Sequence, residues 1–160
     1  MISMAASDLQ ELMLEKGLTL SLAESCTGGM ISSSITDRPG SSAYFIGSAI
    51  TYSNQSKISI LGVRPETISE FGAVSRETSV EMALGVSRIF DADISASVTG
   101  IAGPDGGSVS KPIGTVWMTV TDGSRCISSV FYFDGNRDDI RTNSANALID
   151  MIIDFVKGVL

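Results

Sequence analysis

The sequence contains no histidine. That absence excludes Ser-His-Asp and Cys-His catalysis within the chain, and it removes the commonest side-chain ligand of transition metals. Cysteine is nearly as scarce. Cys26 and Cys126 stand alone, too few for a disulfide framework and too far apart for a recognisable zinc spacing. No run of Lys or Arg occurs and the net charge is −7, so the basic footprint of nucleic-acid binding is missing. No uncharged apolar stretch reaches the roughly 18 residues of a membrane span. The first residues, MISMAASDLQ, carry neither the basic region nor the apolar run of a secretory leader. These absences predict a cytoplasmic protein with no metal and no cofactor, bound to neither nucleic acid nor membrane. Any hydrolytic chemistry must use Ser, Thr, Tyr, Lys, Asp or Glu.

What is present suits one packed domain: 160 residues, 43% of them hydrophobic, is the size and composition of a single core. Ala5, Leu9, Leu12 and Met13 recur at helical spacing ahead of Gly17, which predicts a helix over about 3–16. Leu18, Leu20 and Leu22 then alternate with Thr19 and Ser21 in the period of a strand. A turn, Glu24–Gly29, leads to a second helix that stops before Pro39-Gly40. A strand around Ile46–Tyr52 precedes a short helix over about Asn54–Leu61, and Pro65 opens another helical piece. Ser75 can cap a longer helix. Ile94, Ala96 and Val98 alternate with serines in a further strand, which ends in Thr99-Gly100. Strands over about 113–121 and 125–133 meet at Asp122-Gly123, a hairpin signal. An apolar stripe from Ile140 to Phe155 marks the last helix. Strands separated by helices, followed by a hairpin, predict a three-layer α/β/α sandwich. Its sheet is mixed, mostly parallel, and has about five strands. Ligands of such sheets gather beyond the carboxyl ends of the strands, which directs attention to Glu24–Gly29, Tyr52–Lys57 and Thr99–Gly107.

Each of these segments has a chemical use and a plain one. Ser25-Cys26-Thr27-Gly28-Gly29 joins a strand to a helix, and its exposed N–H groups could receive a phosphate or carboxylate. It could equally be a capped turn. Cys26 is either a thiol activated by the helix start or a small buried side chain. Gly100–Gly107 tolerates unusual backbone angles but matches neither the dinucleotide nor the phosphate-loop pattern. A helical turn near Ser42, in Gly40-Ser41-Ser42, would offer N–H groups for an oxyanion. Lys57 falls in the first turn of its helix and faces the positive end of the dipole, which favours the neutral amine that a lysine base requires. Lowering its pKa from about 10.4 to about 7–8 takes roughly 3–5 kcal/mol. The dipole supplies about 0.3–1 kcal/mol, so burial and nearby cations must supply the rest. A solvated lysine is the plain alternative.

Taken together, Ala23–Gly29, Gly40–Ser42, Thr51–Asn54 with Lys57, Gly72–Ser75, Gly100–Gly107 and Lys111–Trp117 resemble the CinA C-terminal-domain family, in the same order along almost the whole chain. Stand-alone members are nicotinamide-nucleotide amidohydrolases. The resemblance implies hydrolysis of the carboxamide of nicotinamide mononucleotide (NMN) by a Ser-Lys dyad. It implies Ser42 as nucleophile, Lys57 as base and Tyr52 as the group that orients or relays the proton. Ser25, Thr27, Gly28, Thr99, Gly100 and Gly103 become expected substrate contacts. Of the two arginines that open the last helix, Arg137 and Arg141, the latter is expected in the site. The phosphate is expected at the helix start after Thr27 or against an arginine. Full-length CinA proteins add a domain related to molybdopterin-binding proteins with no counterpart in this sequence, so a free-standing homo-oligomeric deamidase is the expectation. A non-catalytic nucleotide-binding or protein-interaction module is the alternative.

Overall fold

The computed structural model describes residues 3–160. In chain order the elements are α1 (Ser3–Lys16), β1 (Leu20–Glu24), α2 (Met30–Thr36), β2 (Phe45–Ile50), α3 (Asn54–Leu61), α4 (Pro65–Phe71), α5 (Arg76–Phe90), β3 (Ile94–Gly100), β4 (Thr115–Thr121), β5 (Cys126–Tyr132) and α6 (Arg137–Lys157), with a 3-10 turn at Ser41–Ala43. The strands form one sheet in the order β2-β1-β3-β4-β5. β1 is parallel to both β2 and β3, and β4 is antiparallel to both β3 and β5. Four strands therefore run one way, with β4 as the single reversal. The β4–β5 connection is wider than a two-residue turn. Asp122 Oδ1 accepts from the N–H groups of Ser124 and Arg125, closing a loop over residues 122–125.

The two faces of the sheet bury different chemistry. Leu20, Leu22, Ala96, Val98, Val116 and Met118 join the large apolar core, which also takes in α1 and α6. The alternate residues are small or hydroxylated. Ser21, Ser95, Ser97 and Thr119 are all buried, because α5 covers them. Their hydroxyls pair with one another: Ser21 Oγ lies 2.9 Å from Ser95 Oγ, and Ser79 Oγ of α5 lies 2.6 Å from Thr119 Oγ1. Buried hydroxyls without partners would be costly, and this network supplies the partners. α5 also packs closely on the end of α3. A Cβ at Gly85 would stand 2.1 Å from the Leu61 carbonyl oxygen, so only glycine fits there.

The carboxyl ends of β1, β2 and β3 lie at one edge of the sheet, and the connections that follow them meet there. Ser25 N–H donates to the Val98 carbonyl at 3.1 Å, and Thr51 N–H donates to the Glu24 carbonyl at 2.9 Å. The segments after β1, β2 and β3 are thus hydrogen-bonded into one surface.

Candidate active site

At this surface a cavity of about 220 Å³ is lined by Ser25, Cys26, Tyr52, Lys57, Gly100 and Arg137, among others. Lys57 is buried, with 1% of its surface exposed. Its Nζ lies 2.9 Å from Ser25 Oγ, 2.8 Å from the Thr51 carbonyl oxygen and 3.3 Å from the Tyr52 carbonyl oxygen. No carboxylate is among these partners. Burial pushes the Lys57 pKa down from 10.5 to about 8. The expected help from nearby cations is not among the causes; desolvation does the work.

The geometry suits a neutral amine. A neutral amine has two hydrogens and one lone pair. When the Thr51 and Tyr52 carbonyls take the two hydrogens, the lone pair is left for Ser25 Oγ. Such an arrangement can let the amine act as a base towards Ser25.

Ser42 does not share this site. It is exposed, in the 3-10 turn that precedes β2, whereas Lys57 lies beyond the other end of that strand. Tyr44, next to the turn, accepts through its carbonyl from Leu20 N–H at the start of β1. At about 3.3 Å per residue, β2 separates the two groups by roughly 20 Å. Ser42 is therefore corrected as the partner of Lys57, and Ser25 stands in its place.

The turn that carries Ser25 is held from two sides. Glu24, fully buried, reaches forward over the start of α2. Its Oε2 accepts from Thr27 Oγ1 at 2.6 Å and from the N–H groups of Gly29 and Ile31. Its Oε1 accepts from Ser32 N–H and Oγ. The N-terminal donors of α2 are thus already satisfied by a carboxylate of this chain. The expectation of a phosphate after Thr27 fails for that reason. Thr27 and Gly28 are parts of the turn rather than of the cavity wall. Replacing Glu24 by Gln puts an amide where only acceptors fit and removes the charge that these donors hold. Glu24→Gln is expected to cost about 3 kcal/mol of stability, read as a lowered urea midpoint with unchanged slope.

From the other side, Arg141 donates through Nε to the Cys26 carbonyl at 3.1 Å and through Nη2 to the Thr27 carbonyl at 2.9 Å. It clamps the turn from behind. Arg137 is the arginine on the cavity wall. The preference for Arg141 is corrected accordingly: residues four apart share a helix face, but only the one nearer the helix start reaches the mouth. Arg137 donates to the Gly103 carbonyl at 2.7 Å and to Tyr52 Oη at 2.9 Å. Tyr52 is thus turned towards Arg137, and only its main chain meets Lys57. Thr99 is buried and donates to the Ala73 carbonyl at 2.8 Å, which fixes the Gly72–Ser75 segment beside the cavity. A Cβ on Gly100 would stand 2.7 Å from Val116 Cγ2 and 3.2 Å from Cys26 Sγ, so glycine lets the Ser25 turn close against β3. Gly103 contributes its carbonyl to Arg137 rather than a direct wall.

Cys26 is 6% exposed. Burial drives its thiol pKa up to about 12, the opposite of an activated nucleophile. The carboxylate bonds of Glu24 and the place of Arg137 on the cavity wall go beyond what the sequence predicts. Arg137 did carry a signal: a cation at the first position of α6 opposes the helix dipole and calls for a reason.

No helix among the described residues is long and apolar enough to cross a membrane. Residues 3–156 match the CinA C-terminal domain. A CinA-like protein of Endomicrobium trichonymphae is 51% identical over 147 residues, which are 92% of this chain and 34% of that protein. The chain therefore spans about a third of the length of the curated relatives it matches. The competence/damage inducible protein CihA from Agrobacterium tumefaciens superimposes with a TM-score of 0.91 at 38% identity, covering 95% of this chain and 93% of that one. The competence or damage-inducible protein from Enterobacter asburiae gives 0.93 at 30% identity, covering 97% and 98%. The chain belongs to the CinA C-terminal domain family.

Proposed function

We propose that this domain hydrolyses the carboxamide of nicotinamide mononucleotide, with Ser25 as nucleophile and Lys57 as general base. The observation that carries the reading is the buried Lys57 amine, 2.9 Å from Ser25 Oγ, with its other two partners both main-chain carbonyls. A binding module has no use for a lysine held close to neutrality against a serine. The neutral amine takes the Ser25 proton as Oγ attacks the carboxamide carbon. The resulting ammonium gives that proton to the departing ammonia, and the acyl ester on Ser25 remains. Lys57 then draws a proton from water as it attacks the ester, and returns that proton to Ser25 Oγ as the carboxylate product leaves.

The oxyanion needs donors. Among the described residues, the N–H of Ala102, on the cavity wall, has no main-chain acceptor and is the candidate donor. The phosphate is assigned to Arg137, a cation on the cavity wall that carries no carboxylate partner.

Release of ammonia and nicotinate mononucleotide from NMN by the purified protein tests the reading. Activity should survive prolonged EDTA treatment and dialysis, since the dyad needs no ion. Loss that a divalent cation restores would refute a metal-free dyad.

A further inference from the structure

A cavity of about 220 Å³ is smaller than the roughly 300–1,000 Å³ of sites that enclose a whole drug-sized ligand. It has room for one ring and its amide, and the remainder of a mononucleotide must lie outside the mouth. Tyr52 stands at that mouth. It lines the cavity together with Ser25 and Lys57, and 60% of its surface is exposed. Its hydroxyl faces away from the dyad, tied to Arg137, which is itself fixed on the Gly103 carbonyl. The ring is therefore held in place from its far end, with its body open to solvent. No Asp or Glu lines the cavity, because Glu24 spends its carboxylate on the start of α2. Tyr52 is the one aromatic side chain on this wall, and its ring offers a face that attracts a cation.

We infer that Tyr52 is a specificity residue whose ring stacks on the substrate and selects a planar, positively charged heteroaromatic amide. This rests on the amidohydrolase reading above, in which the ring that carries the amide is a pyridinium. A cation over a tyrosine face is drawn to the electron-rich centre of the ring, and the neutral form of Lys57 does not repel it. Aliphatic amides, and heteroaromatic amides without the charge, forgo this attraction. Tyr52 thereby changes from the proton relay of the sequence reading to a wall that chooses the substrate.

The test compares NMN with its reduced form, which has the same carboxamide, ribose and phosphate on a neutral, non-aromatic ring. Binding is measured by calorimetry and turnover by ammonia release, for wild type, Tyr52→Phe and Tyr52→Leu. Wild type should bind NMN about tenfold more tightly than the reduced nucleotide. Tyr52→Phe should keep that preference, and Tyr52→Leu should bring it near unity, with KM moving more than kcat. An undiminished preference in Tyr52→Leu overturns the assignment. Equal loss in both variants does so too, since it traces the effect to the hydroxyl and Arg137. A preference that follows the ring, with no ammonia released by wild type, would leave Tyr52 in its role and sink the amidohydrolase reading. Ammonia release with a preference indifferent to the ring does the reverse. A wild type that binds neither nucleotide overturns both.

Discussion

Ser25→Ala should lower kcat/KM on NMN by about 10⁴- to 10⁶-fold, the scale of losing a nucleophile that acts as one unit with its base. The fold should persist. Ser25 holds its place in the turn through main-chain bonds, its N–H to Val98 and its carbonyl to Gly28 N–H, and alanine keeps both. Only the hydroxyl 2.9 Å from Lys57 Nζ is lost. Ser42→Ala, at an exposed position before β2, should change turnover by no more than about twofold, as surface substitutions away from such features are nearly neutral. Cys26→Ala should retain substantial activity, because a buried thiol with a pKa near 12 supplies almost no thiolate. An inactive Ser42→Ala beside an active Ser25→Ala would return the nucleophile to the far end of β2, and the mechanism would then need another base.

Lys57→Met should cost several orders of magnitude in single-turnover rate while NMN binding changes far less, because in the proposed mechanism the amine acts on Ser25 and not on the phosphate. The wild-type pH profile carries its own signature. A base must be unprotonated, so kcat/KM should rise with pH and level off above the Lys57 pKa of about 8. Stability follows the same group. Between about 8 and 10.5 the unfolded chain holds the lysine proton and the folded chain does not. Stability therefore rises with pH across that window, and below it the folded state bears the cost of a buried charge. In Lys57→Met that rise should be absent when urea midpoints of the two proteins are compared from pH 7 to 10.5. A rate limb near pH 10, or greatly weakened binding with near-normal turnover, would make Lys57 a solvated anchor and not a base.

Much of this was open to reading in the sequence. The order of elements, the mixed sheet and the gathering of three strand ends follow from periodicity and punctuation. The position of Lys57 in the first turn of α3 is confirmed. The misassigned serine has a physical lesson. Ser42 and Ser25 both sit in turns beside glycine, and local chemistry does not separate them. Strand direction does. Ser42 precedes β2 and Lys57 follows it, so the two lie at opposite ends of the strand, whereas Ser25 follows β1, which is parallel to β2. The serines that alternate along β3 are the signature of a face open to water, yet α5 covers them, and only tertiary packing decides that. Glu24 was equally opaque. A glutamate at the end of a strand gives no local sign that its carboxylate will turn forward onto the next helix and take the place kept for a phosphate.

The most direct test of the Ser25–Lys57 assignment is to find where the acyl group goes. Wild-type protein mixed with excess NMN, quenched in acid during the first turnover and digested, should yield the peptide containing Ser25 with the nucleotide acyl group attached as an ester. The modification should be absent in Ser25→Ala and in Lys57→Met. The same acyl group found on Ser42 or on Cys26 would contradict the assignment.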